Sequence, residues 1–169
     1  MVIETVLGDI TALDVDVVVN AANRELVRGS GVCGAIFAGA GPRLDAACAA
    51  LGGCDTGDAV ITPGFGLRAR WIVHAVGPVW RGGDRGEGEL LASCYRRSLE
   101  VAGTVGAGSI AFPAISTGVY GYPADAAAEI AVDTLRACGE VGGPTTPARV
   151  VLVAFDPATA ARYEALLGS

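Results

Sequence analysis

The stretch GSGVCG at residues 29–34 matches G-x-G-x-x-G and sets a cysteine, Cys33, inside a glycine loop. Glycine loops of this spacing let backbone N–H groups approach a phosphate closely, and a thiol there would stand beside the bound group. The loop follows NAAN at 20–23, which itself follows the apolar run ending in VVVN. A second loop, AISTGVYG at 114–121, follows SIAF, and Phe155 with Asp156 closes a third apolar run, RVVLVAF. In open α/β sheets ligands bind beyond the carboxyl ends of the strands, where loops enter helix N-termini. Gly29, Gly31, Gly118 and Gly121 would let backbone amides close on an anion. Two such loops from different strands would grip a diphosphate from opposite sides.

A nicotinamide cofactor is the first candidate and fits poorly. In that fingerprint the first glycine leaves the strand directly, whereas AANRELVR separates Asn20 from Gly29. Asp55 lies at about the distance of a ribose-binding acid, but in the turn CDTGDA and not at a strand end. His74, the only histidine, lies inside WIVHAV, where a hydrogen-bonded core residue is commoner than a base. Cys33 has no histidine nearby in sequence to activate it, so it is expected as a small buried packing residue.

The elements that would position these groups follow from hydrophobic patterning. Apolar, β-branched runs at 15–20, 59–62, 71–76, 109–112 and 149–155 predict strands, most of them buried on both faces, and the first ten residues predict an edge strand. Segments 43–51, 87–103, 124–138 and 158–167 predict helices, with Pro42, Pro123 and Pro157 at or near their first turns. Alternating strands and helices predict a mainly parallel sheet covered on both faces. RGGDRGEG at 81–88 and GEVGGPTTP at 139–147 predict surface loops and not linkers, because neither flank could form a core alone. A chain of 169 residues that is 51% hydrophobic is then one domain, 1–169.

Charge and cysteines narrow the function classes. A net charge of −6 argues against a surface that grips the nucleic-acid backbone. Five cysteines without C-x-x-C spacing, beside one histidine, favour neither a disulfide framework nor a zinc site, so no metal or cofactor is expected. A reducing cytoplasm is the natural setting. The start VIETVLGDIT lacks a basic n-region and a long apolar run, and no segment approaches membrane-spanning length, so no membrane partner is expected.

GDIT at 8–11, DVVVNAAN at 16–23, GSGVCGAIF at 29–37, GP at 41–42, LGGCDTGDAVITPGF at 51–65, HAVGPVW at 74–80 and FPAISTGVYGYP at 112–123 resemble, in order and over nearly the whole chain, the macrodomain family in its MacroD-like branch. The resemblance implies a three-layer α/β/α fold with a mixed, mainly parallel sheet of about six strands, and a cleft that binds ADP-ribose. It implies hydrolysis of mono-ADP-ribose esters on acidic protein side chains and deacylation of O-acetyl-ADP-ribose. ADP-ribose and ADP-ribosylated proteins are the partners it implies.

Site residues carry over position by position. Asp9 would accept a hydrogen bond from the adenine amino group while the Ile10 amide supports the ring; by residue type alone Asp9 would be a helix N-cap. Phe155 would stack on adenine. Asn23 would face the distal ribose and, with Cys33, is a candidate catalytic residue, whereas Asn20 would brace the loop. Ala21 joins the binding set. Ser30, Gly31 and Val32, with Ser116, Thr117, Gly118, Val119 and Tyr120, would supply amides and a hydroxyl to the diphosphate and shield the ribose. The sequence departs from the family pattern at two positions, having Cys33 where relatives have aspartate and Phe37 where they have histidine. Two functions therefore stand. The hydrolase is favoured by the otherwise intact cleft, and a non-catalytic reader of ADP-ribose is the alternative.

Overall fold

The computed structural model describes residues 1–168. Six strands form one sheet in the order β1-β6-β5-β2-β4-β3: β1 Val2–Leu7, β2 Val17–Ala22, β3 Ala59–Pro63, β4 Trp71–Val76, β5 Ser109–Phe112 and β6 Arg149–Ala154. Every neighbouring pair is parallel except β3 with β4, so the sheet is mixed and mainly parallel, as expected. Near-continuous apolar runs place β2, β4, β5 and β6 in the middle, whereas β1 and β3 lie at the edges and are only half-buried.

Alternation along the strands divides the interior into two layers. Val17 and Val19 face a core shared with α3 Glu87–Thr104, α4 Ala124–Val141 and α5 Pro157–Leu167, where the Tyr95 and Phe112 rings lie 4.9 Å apart. Val18 and Ala22 face the opposite core, built on α1 Gly31–Ala40 and α2 Arg43–Leu51. Helices on both faces make the three-layer α/β/α arrangement. No helix among the described residues is long and apolar enough to cross a membrane.

Three local differences from the sequence expectation have physical causes. The strand expected at 15–20 runs from Val17 to Ala22, because Asp16 is drawn into the neighbouring turn by Ser109 Oγ (2.8 Å) and the Gly108 N–H (2.7 Å). The strand expected to reach Phe155 stops at Ala154, since Asp156 accepts from the Thr159 N–H at 2.8 Å and starts α5. Residues 29–34 were expected as a glycine loop and 35–40 were assigned no element, whereas Gly31–Ala40 form the helix α1. Gly31, Gly34 and Gly39 give it poor intrinsic propensity, and its helicity comes from burying Cys33, Ile36, Phe37 and Ala40 along one stripe.

Candidate functional site

Strands β6, β5 and β2 are neighbours, so the three loop segments singled out by chemistry emerge side by side at one edge of the fold. The glycine spacing of the first loop has a structural reason at two positions. Gly31 opens α1 with φ of +60°, a conformation that favours glycine. A Cβ at Gly34 would lie 2.7 Å from the Gly29 carbonyl oxygen, so the loop folds back onto the first turn of α1 only with glycine there. Ser30 caps the helix with extended backbone and no side-chain bond, leaving the first N–H groups of α1 without a side-chain cap.

Asn23 does what was expected of Asn20. Its Nδ2 donates to the Val27 carbonyl at 2.9 Å and its Oδ1 accepts from the Val27 N–H at 3.0 Å, so the amide ties the loop across five residues. One Nδ2 hydrogen is left for a ligand. Asn20 is instead buried, with Nδ2 3.1 Å from His74 Nδ1 and 3.7 Å from Cys33 Sγ. An amide N–H can only donate, so His74 Nδ1 accepts and the ring proton sits on Nε2, 2.9 Å from Thr62 Oγ1. Burial pushes the His74 pKa down to about 4 and keeps the ring neutral. Asn20 Oδ1 has no partner within the protein, at a cost of about 1–3 kcal/mol for a buried acceptor. His74 is thus the core residue the sequence suggested.

Cys33 is buried as expected, its Sγ 3.8 Å from the Val27 carbonyl. Cys48 Sγ lies 3.8 Å from His74 Nε2, and burial pushes that thiol up to about 11, with the Asp45 carboxylate adding. Phe37, where the resemblance implied a histidine, is buried with the Arg28 guanidinium 5.8 Å above its ring.

The second loop is fastened from behind. The Tyr122 N–H donates to Ser116 O at 2.9 Å, the Trp80 N–H to Tyr120 O at 2.8 Å, and the Trp80 and Tyr122 rings lie 4.7 Å apart. The Thr117 hydroxyl donates to the Ala114 carbonyl at 2.8 Å, so it is spent within the loop. Ser116 takes φ of +68°, and its buried hydroxyl, without a partner, fills the space that a Cβ on Gly77 would need. In front, a Cβ on Gly118 would meet nothing within 4 Å, and Val119 is 87% exposed. Burial raises the Tyr120 pKa, and the Glu25 carboxylate and Cys33 add to it.

At the other end, Asp9 and Phe155 line one open cleft of about 450 Å³ with Leu7, Gly8, Ala35 and Pro157. Asp9 is the N-cap of a short 3-10 turn, Ile10–Ala12, accepting from the Thr11 N–H at 2.9 Å and the Thr11 hydroxyl at 2.7 Å. Both bonds fall on Oδ1, so the residue-type expectation of a cap leaves Oδ2 for a ligand. Phe155 is 89% exposed, and Ile10 is buried as part of the turn. Ala35 was not singled out from the sequence. Its signal was its place one turn after Gly31, which only matters once 31–40 is a helix.

The Macro domain family profile matches residues 19–131. The chain belongs to the macro domain family. This macro domain is 55% identical over 156 residues to a macro domain-containing protein of Mesorhizobium japonicum, spanning 92% of this chain and 88% of that protein. It is 54% identical over 170 residues to a Klebsiella pneumoniae protein named O-acetyl-ADP-ribose deacetylase, covering 98% and 96% of the two chains. Among solved structures it superposes with a TM-score of 0.91, at 40% identity, on a glycine-to-valine mutant of the Oceanobacillus iheyensis macrodomain with ADPR, covering 98% and 90%. The resemblance stated from the motifs and the α/β/α fold it implied both hold.

Proposed function

We propose that this macro domain binds ADP-ribose and hydrolyses its esters, namely mono-ADP-ribose on acidic protein side chains and O-acetyl-ADP-ribose. The observation that carries the reading is the alignment of three recognition surfaces along one path. The cleft of Asp9 and Phe155 suits a planar base with an exocyclic amine, offering a ring face and a carboxylate oxygen. The N-terminus of α1 and the open face of Gly118 suit two phosphates. Asn23, with an N–H to spare, would then face the distal ribose, with Tyr120 of the second loop shielding it.

In this reading the ribosyl ester projects past Asn23, and a water held between a ligand phosphate and the remaining Asn23 N–H attacks the acyl carbonyl or the anomeric carbon. The ester bond breaks, and a carboxylic acid and ADP-ribose leave. Positioning of the water next to a labile ester supplies much of the acceleration, without a strong base. The named deacetylase relative supports an ester as the bond broken.

The second reading is a reader that binds without turnover. It is favoured by one observation: Cys33 and Phe37 are buried, and neither offers a carboxylate or imidazole to a water. Incubation with a protein carrying ADP-ribose on glutamate, following bound and released ADP-ribose separately, decides between them. Release with recovery of the unmodified protein is the expected outcome; retention of bound ADP-ribose on the acceptor with no release supports the reader.

A further inference from the structure

Asn20, His74 and Thr62 are polar groups buried in the sheet and around the layer under α1 that is otherwise hydrocarbon. Apolar side chains would fill that space without leaving Asn20 Oδ1 unpartnered, so packing stability does not account for them. The place to which they lead does. The contacts run from Thr62 Oγ1 to His74 Nε2 (2.9 Å), from His74 Nδ1 to Asn20 Nδ2 (3.1 Å), and from Asn20 Nδ2 to Cys33 Sγ (3.7 Å). Cys33 lies under the first loop: a Cβ on Gly29 would come 3.5 Å from its Sγ and 3.8 Å from Asn23 Nδ2. Parallel pairing of β2 with β4 sets Asn20 opposite His74, while α1 carries Cys33, so the chain of contacts ties the sheet to the first turn of the helix.

The geometry points to His74 and Asn20 as positioning residues: a neutral His74, protonated on Nε2, orients the Asn20 amide, which through Cys33 sets where the first loop meets the diphosphate. This rests on the ADP-ribose reading given under Proposed function. Neither residue touches the ligand. With Oδ1 unpartnered, the Asn20 amide is held in the interior by the nitrogen contacts to His74 and Cys33, so loss of the sulfur removes one of the two. The consequence belongs to binding of the ligand and not to the chemical step, so affinity should change while turnover at saturation holds.

His74 is the only histidine, so nitrogen-15 NMR of the labelled protein reports one imidazole ring without assignment. In the ligand-free protein the ring should be protonated on Nε2 and bare on Nδ1, and Cys33→Ala should shift both signals. Saturating ADP-ribose should shift them as well. By calorimetry, Cys33→Ala and Asn20→Ala should each raise the ADP-ribose Kd about tenfold, and the double variant should stay near tenfold because both cut one chain. Cys33→Ser, which keeps an acceptor for the amide, should restore the affinity. Ring signals that respond to neither Cys33→Ala nor ADP-ribose overturn the proposal, as do single effects that multiply to about a hundredfold. If Asn20→Ala does not fold, the ring signals of the natural protein and of Cys33→Ala decide. Absent ADP-ribose binding with a ring that still responds to Cys33→Ala defeats the functional reading and leaves the contact chain standing. Normal binding with a silent ring does the reverse.

Discussion

At the residue scale, the two asparagines of NAAN have divided their work in a way their order in the motif does not reveal. Asn23 braces the loop with one hydrogen to spare, and Asn20 is held in the interior by His74. Asp9 does two jobs with two oxygens, capping a turn with one and keeping the other open. Asp9→Ala should therefore weaken ADP-ribose binding by about 1–3 kcal/mol in calorimetry, the worth of a charge-assisted bond to the base. Loss of the cap will also lower melting; a drop in melting with normal affinity in the folded fraction would leave Asp9 as a cap alone. Cys33 has an amide and a carbonyl around its sulfur and no base, so Cys33→Ala should retain most of the hydrolysis of glutamate-linked ADP-ribose at saturating substrate. Loss of activity together with ADP-ribose-protected inhibition by a thiol alkylator would make it the nucleophile. Cys33→Asp with Phe37→His installs the polar pair that the family resemblance implies. If the natural protein turns over, a rate within about tenfold of its own, or 1.4 kcal/mol of barrier, would show that catalysis is not decided at those positions, whereas turnover appearing only in the double variant would mark the natural protein as a reader.

At the element scale, the glycines of the two loops serve different ends, and substitution should separate them. Gly34 is required by the protein itself, because its Cβ would press on the Gly29 carbonyl at 2.7 Å. Gly34→Ala should destabilise the fold by about 1–3 kcal/mol, read as a shift of the urea midpoint. Gly118 is required by nothing in the protein, since its Cβ would meet open space. Gly118→Glu should leave the urea midpoint near that of the natural protein and abolish ADP-ribose binding by placing bulk and negative charge where the proposed site would hold the diphosphate. Intact binding in that variant would remove the second loop from the site.

At the scale of the whole molecule, acid should act on two buried groups in succession. The unfolded chain takes up a proton at His74 below its ordinary 6.5, while the native ring resists until about 4. Stability should therefore fall as pH drops through that window, by on the order of 3 kcal/mol in full. Glu87 continues the loss at lower pH. Its carboxylate accepts from the N–H groups of Arg81 (2.9 Å), Gly83 (2.9 Å) and Arg85 (2.7 Å), and the first of these leads in holding its pKa down to about 2. That contribution is full above the unfolded value of 4.5 and is lost as pH falls through about 2. Urea midpoints against pH should show both stages, with Glu87→Gln flattening only the lower one. The loop that Glu87 gathers follows Trp80, which supports Tyr120, so the same variant should loosen the second loop and weaken ADP-ribose binding.

Period-two and near-continuous apolar runs placed the strands in the sequence, and prolines marked three helix starts, because both signals depend on neighbours along the chain. The order of motifs was enough to identify the family and hence the α/β/α fold. The glycine loops and the Asp9 and Phe155 pair were legible as candidates for the same reason, each being a local cluster of unusual residue types. Helix α1 was not, since its glycines contradict its state and only burial against β2 overrides them. The roles of Asn20 and Asn23 were also closed to the sequence. That of Asn20 depends on a histidine 54 residues away that the parallel pairing of β2 and β4 brings to hydrogen-bond distance, and Asn23, bonded to Val27, is then left to brace the loop. Tertiary structure alone decided which side chains had donors left over, because that is a balance of contacts between segments that the chain order does not hold.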